Sequence, residues 1–151
     1  MNTSIAIAPN GFSVEALLGG KKSLRAQPRT ALDWVAVIRA GLSSQAVDSL
    51  LKIVRVSQAE LAAALDIPAR TLARRKKDGV LNSEESAKLV RLARVVERAG
   101  EVFEDIDAGL AWHKSSNAAL GGATPLSLLD TSIGADSVID TLGRIEHGVF
   151  A

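Results

Sequence analysis

The sequence predicts an all-α protein, and three observations carry that prediction. Alanine and leucine abound while aromatics make up 3% and tyrosine is absent, a composition that favours helices over strands. Apolar residues recur at spacings of three and four, and strand-type alternation is hard to find. Helix caps and stops punctuate those runs. The 151 residues suit one domain or two small ones, long enough for a core without staples.

Taken in order, residues 1–28 are Gly-rich and weakly patterned, and read as a flexible segment with a short helix near 14–18. From Thr30 a helix is predicted to Arg39, with Leu32, Val35 and Ile38 on its inner face and Gly41 as its stop. Ser43 or Ser44 caps the next, whose buried side carries Val47, Leu50, Leu51 and Val54. Ser57-Gln58-Ala59-Glu60 is a capping box opening a short helix to Leu65. Pro68 suits the first position of the following helix, and Gly79 suits its left-handed end. Asn82 and Glu85 form a second capping pair for a long helix to Phe103. Within it Leu89, Leu92, Val96, Ala99 and Phe103 fall at spacings of 3, 4, 3 and 4, a seam for a core or a modest dimer contact. Residues 115–124 break the pattern. Thr124-Pro125 then caps a short turn, and a last helix is expected over 135–146 with Val138, Leu142 and Ile145 on one stripe. Gly148 ends it ahead of an apolar tail, Val149-Phe150-Ala151.

Composition excludes several chemistries. With no cysteine there are no disulfides, thiolate metal sites or cysteine nucleophiles, and two histidines make an imidazole metal centre untenable. No run approaches the ~20 apolar residues of a spanning helix, and the N-terminus lacks a secretory pattern. A soluble, cytoplasmic protein with no membrane contact is expected. The net charge of +1 hides an asymmetry. Residues 1–100 hold 16 Lys/Arg against 9 Asp/Glu, and residues 101–151 hold 2 against 8. The basic part therefore suits a polyanion.

Residues 57–77 have the grammar of a helix-turn-helix, in which two helices cross sharply over a short turn. Leu61 and Leu65 supply the inner face of the first helix, Ala62 the close crossing, Ile67 the plug of the turn, and Leu72 the anchor of the second. The second helix then carries Arg70, Arg74, Arg75, Lys76 and Lys77, five cations in eight residues. Residues early on such a helix enter the major groove, which makes Ala69, Arg70, Thr71 and Arg74 the expected base readers. Arg75, Lys76 and Lys77 are expected on the phosphate backbone, with Gln58 donating to a phosphate from the first helix. Asp66 stands where a turn glycine is common; Asp tolerates left-handed geometry, and it is also placed to cap the next helix. Lys88, Arg91, Arg94 and Arg98 form a second basic stripe, read as an exposed face paired with Glu84, Glu85 and Glu97 in preference to a phosphate contact.

Other constellations carry no chemistry. Ser132, Asp136, Asp140 and His147 lack a nucleophile elbow. Glu101, Glu104, Asp105 and Asp107 lack the spacing of a calcium loop, and no lysine follows Gly121-Gly122. His113 is expected to be partly buried beside Trp112. No catalytic residue, metal ligand or cofactor is assigned.

From about Arg70 onward, runs such as Thr71-Leu72-Ala73-Arg74-Arg75-Lys76-Lys77 and Ser83-Glu84-Glu85-Ser86 resemble the Xre/MbcA/ParS-type antitoxins, the partners of RES-domain toxins. The C-terminal runs Gly121-Gly122-Ala123-Thr124-Pro125-Leu126 and Leu142-Gly143-Arg144-Ile145-Glu146-His147-Gly148 carry the same resemblance. It implies a DNA-binding helix-turn-helix domain over residues 29–81 and a small helical toxin-binding domain over 82–151, after the flexible segment 1–28. It also implies repression of the chain's own operon from a two-fold operator by a homodimer. RES-type toxins break down NAD, which is then the partner's substrate and no cofactor of this chain. The toxin-binding residues expected on this reading are Asp136, Asp140 and Glu146 against a cationic rim, Arg144 against a carboxylate, and His147, Val149 and Phe150 toward the toxin's pocket. The alternative is a stand-alone dimeric regulator whose C-terminal domain senses a ligand or only dimerises.

Overall fold

The computed structural model describes residues 13–148. Helices α1 (Val14–Leu17), α2 (Gly20–Leu24), α3 (Ala31–Ala40), α4 (Gln45–Val54), α5 (Gln58–Leu65), α6 (Ala69–Asp78), α7 (Ser83–Phe103), α8 (Ile106–His113) and α9 (Ser132–Glu146) follow one another, with 3₁₀ turns at Ala118–Leu120 and Pro125–Leu128. The fold is all-α, with no strand among the described residues. Local chemistry sets most starts. Thr30, Ser57 and Asn82 each accept from the backbone three residues on, and Asp33, Glu60 and Glu85 reach back to complete three capping boxes.

Helix α7 is the axis of the molecule. Leu89, Leu92, Val96 and Ala99 of its seam are buried and Phe103 is half-buried, so the seam is chiefly core. Helices α1, α3, α5, α8 and α9 pack around it. Gly109 of α8 lies so close that an added Cβ would stand 3.1 Å from the Ala99 and Gly100 backbone. Residues 106–113, for which the spacing argument names no helix, begin after Glu104 takes a left-handed φ of 54° and Asp105 caps α8. The last helix starts at Ser132, earlier than expected, because Thr131 accepts from the Gly134 N–H.

Two expectations are corrected. The first concerns residues 1–28. From Ser13 onward this stretch is part of the core: Leu17 and Leu18 are fully buried, and the Val14 N–H donates to Glu97 Oε2 of α7 at 2.9 Å. The physical reason is long-range burial that a glycine-rich local pattern does not reveal. Residues 1–12 lie outside the described residues. The second is the face of α3. Trp34, Val37 and Ile38 turn inward, whereas Leu32 is 79% and Val35 is 37% exposed.

His113 ends α8 in the core, 1% exposed, with Trp112 edge-on at 5.3 Å and neither ring nitrogen hydrogen-bonded. Burial lowers its pKa to about 4, and the Val95 backbone opposes that shift. A depressed histidine contributes stability that is complete above its unfolded value near 6.5 and is lost as pH falls toward 4. The loss should total about 3 kcal/mol from the size of that shift. Denaturant unfolding between pH 7 and 4.5 should show this slope, and His113→Gln should flatten it; an unchanged slope would assign the acid sensitivity elsewhere.

Candidate functional site

The helix-turn-helix is built as a rigid corner. At its turn Asp66 adopts φ 55°, a conformation Asp tolerates, and ends α5; it does not cap α6, whose start at Pro68 has no side-chain cap. The Ile67 N–H bonds to the Ala62 carbonyl at 3.0 Å while its side chain is buried. Lys88 Nζ of α7 donates to the Asp66 carbonyl at 2.9 Å, which pins the turn from outside. Leu72 anchors α6 with no exposed surface. The far end of α6 is tied down as well: the Ser44 N–H reaches the Gly79 carbonyl and the Leu81 N–H the Leu42 carbonyl. Gly41, at φ 88°, passes so close to the Leu81 carbonyl that an added Cβ would lie 2.4 Å from it.

On this corner the predicted residues separate into two sets. Ala69, Arg70, Arg74 and Lys77 are exposed on the outer face of α6, with Thr71 half-buried beside them. Arg75 and Lys76 turn the other way. Arg75 Nε donates to Glu85 Oε1 at 2.8 Å and Oε2 at 3.1 Å, and its guanidinium also lies 3.6 Å from Asp78. Burial pushes the Glu85 carboxyl up, but the Arg75 hydrogen bond and charge with the Asn82 N–H outweigh it and hold the pKa below the usual range. Lys76 Nζ pairs with Asp48 of α4 and donates to Gln58 Oε1, each at 3.0 Å. The expected phosphate role of Arg75 and Lys76 thus meets a competing intramolecular one, since each finds an acceptor within the chain. Gln58 is engaged through its oxygen.

The second basic stripe is structural at most of its positions. Lys88 holds the turn and also meets Glu84, Arg91 Nη2 donates to the Leu129 carbonyl at 3.3 Å, and Arg98 forks onto Glu146 of α9 with Glu101 nearby. Arg94 alone of the four is exposed.

At the C-terminal end, α9 buries Val138 and Leu142 and turns Ile133, Asp136, Asp140, Arg144 and His147 outward along one stripe. Gly134 sets its approach to the Pro125–Leu128 turn, where an added Cβ would meet the Leu128 carbonyl at 1.9 Å. Gly134→Ala should therefore destabilise by about 1–3 kcal/mol through overpacking; thermal unfolding checks this, and an unchanged Tm would contradict the tight approach. A shallow depression of about 420 Å³ between Arg98, Ile139, Asp140, Gly143, Arg144 and His147 opens on the same face. Glu146 is committed to Arg98, which lowers its pKa, and so sits at the edge of that face as a strut. Val149 and Phe150 lie outside the described residues. Ile133 on the outward stripe is 79% exposed, an apolar side chain that the sequence reading did not single out. Its position off the Val138–Leu142 stripe was the available signal. Among the described residues there is no cluster of His, Asp and Glu able to hold a metal, and no helix long and apolar enough to cross a membrane.

Two family models match successive segments of the chain. Residues 33–94 match the antitoxin Xre-like helix-turn-helix domain, and residues 98–148 match the antitoxin Xre/MbcA/ParS C-terminal toxin-binding domain. The chain belongs to the Xre/MbcA/ParS-type antitoxins. It is 38% identical over 116 residues to the antitoxin Xre of Yersinia enterocolitica, covering 76% of this chain and 78% of the relative. It is 33% identical, over the same shares, to the antitoxin Xre of Photorhabdus laumondii. A protein of a Sphingobium species called Prs ADP-ribosylating antitoxin is 28% identical over 141 residues, 87% of each chain. The antitoxin's two matched domains meet inside α7, between residues 94 and 98, so one continuous helix joins them. A regulatory, non-enzymatic role is consistent with this family.

Proposed function

We propose that this antitoxin neutralises a RES-domain, NAD-degrading toxin by direct binding and represses its own operon as a homodimer in the cytoplasm. The observation that carries the reading is the separation of two surfaces along α7. Arg75 ties α6, with its exposed cations Arg70, Arg74 and Lys77, to Glu85 in the first turn of α7, and Glu146 ties α9, with its outward stripe, to Arg98 in the C-terminal half of the same helix. On α6, Ala69, Arg70, Thr71 and Arg74 read base edges; Lys77 and the Gln58 amide nitrogen meet phosphates. On α9, Ile133 supplies an apolar anchor, Asp136 and Asp140 meet a cationic rim, and Arg144 meets a carboxylate in a forked contact. His147 and the Val149-Phe150 tail lie toward the toxin's pocket. The exposed Leu32 and Val35 of α3 support self-association there, since the α7 seam is chiefly core.

The test is co-expression with an adjoining RES-type reading frame while cellular NAD and growth are followed. The antitoxin should restore both and copurify with the toxin. NAD loss that continues beside abundant folded antitoxin would refute the pairing.

A further inference from the structure

The basic surface of the chain does not stop at the recognition helix. Ser23 and Leu24 of α2 are buried, which leaves Lys21, Lys22 and Arg25 exposed on an element fixed to the core. The α1–α2 joint sits directly on α4: Ser49 Oγ donates to the Leu17 carbonyl at 3.0 Å, and a Cβ at Gly19 would touch the Ser49 Cβ at 3.5 Å. The neighbouring residue of α4, Asp48, is the one that pairs with Lys76 of the recognition helix. Through these adjacent residues, helix α4 thus contacts both the α1–α2 joint and the recognition helix. Lys52, one turn beyond Asp48 on the same helix, is exposed. No ion pair among the described residues engages Lys21, Lys22, Arg25 or Lys52. Arg25 moreover stands at φ 58°, a left-handed helix end that glycine fills with less strain. Lys21, Lys22 and Arg25 all precede residue 33, where the helix-turn-helix match begins.

We infer that Lys21, Lys22 and Arg25, continued by Lys52, form a second DNA-phosphate-binding surface that grips the duplex backbone beside the segment read by α6. The inference rests on the DNA-binding reading and extends the footprint past the helix-turn-helix. Its chemistry is that of point charges on a fixed platform. They neutralise phosphates and release counterions, and they carry no base preference. Asp48 does not oppose them, because Lys76 neutralises it at 3.0 Å.

Fluorescence anisotropy tests this with the full chain and a K21A/K22A/R25G variant. The probes are a duplex from the region upstream of the chain's own reading frame and a scrambled duplex of equal length. Glycine at position 25 suits the backbone there, so a Tm equal to the parent's shows that the variant is folded. Each lost phosphate contact flattens the dependence of log K on log salt by about 0.9, so the variant's slope should be shallower by about 2–3 on both duplexes. Arg25→Gly alone should flatten it by about one. A folded variant that keeps the parent's slope overturns the inference and leaves the helix-turn-helix reading standing. A parent that binds neither duplex overturns that reading, and this inference with it.

Discussion

Arg74→Ala is expected to weaken operator binding by about 1–3 kcal/mol, roughly ten- to a hundredfold, and to relax base preference at one position. The side chain is exposed on the outer face of α6 and makes no ion pair among the described residues, so the same change should leave Tm nearly where it was. Its neighbour should behave in the opposite way. Glu85 is 6% exposed and holds Arg75 through two hydrogen bonds, so Glu85→Ala should cost stability, about 1–2 kcal/mol. That figure is below the loss for a fully buried pair because Arg75 keeps contact with water. DNA affinity should follow only through the seating of α6. Equilibrium unfolding and anisotropy on the same two variants separate the roles. If Arg74→Ala bound its operator unchanged at moderate salt, the docking of α6 would be wrong.

Charge reversal on α9 should have the other large effect. Asp136 and Asp140 lie one turn apart on an exposed stripe, with no ion pair to either among the described residues. An Asp136→Lys/Asp140→Lys variant should fold as the parent does and still bind DNA. Its association with a toxin bearing a cationic rim should fall by at least tenfold, because attraction becomes repulsion across the contact. Isothermal titration of the purified partners reads this directly, and an unchanged affinity would remove the acidic pair from the interface.

What could be read in the sequence was mostly local. The capping boxes at Ser57 and Asn82 each span four residues, so their chemistry is visible before any folding. The left-handed Asp66 and Gly79 are equally local, and the apolar seam of α7 buried Leu89, Leu92, Val96 and Ala99 as its spacing named, with Phe103 half-buried. What escaped was long-range. Helix α3 is apolar nearly all round, so spacing alone chose Leu32 and Val35 as its inner face where tertiary packing chose Trp34 and Val37. The cations of α6 look alike in sequence, yet one is drawn inward by a glutamate ten residues away across a turn, and another by Asp48 of α4. Residues 14–24 read as a tail because the carboxylate receiving the Val14 N–H lies 83 positions later.

The separation of the two surfaces is the core of the account, and one variant tests it most directly. A chain carrying Arg70→Ala, Arg74→Ala and Lys77→Ala should be co-expressed with the proposed RES-type toxin, and cellular NAD followed with time. The account predicts NAD held at the level the parent antitoxin maintains, while a reporter under the chain's own promoter is fully derepressed. Loss of NAD protection by this variant at normal abundance and Tm would contradict it, by placing toxin binding on the recognition helix itself.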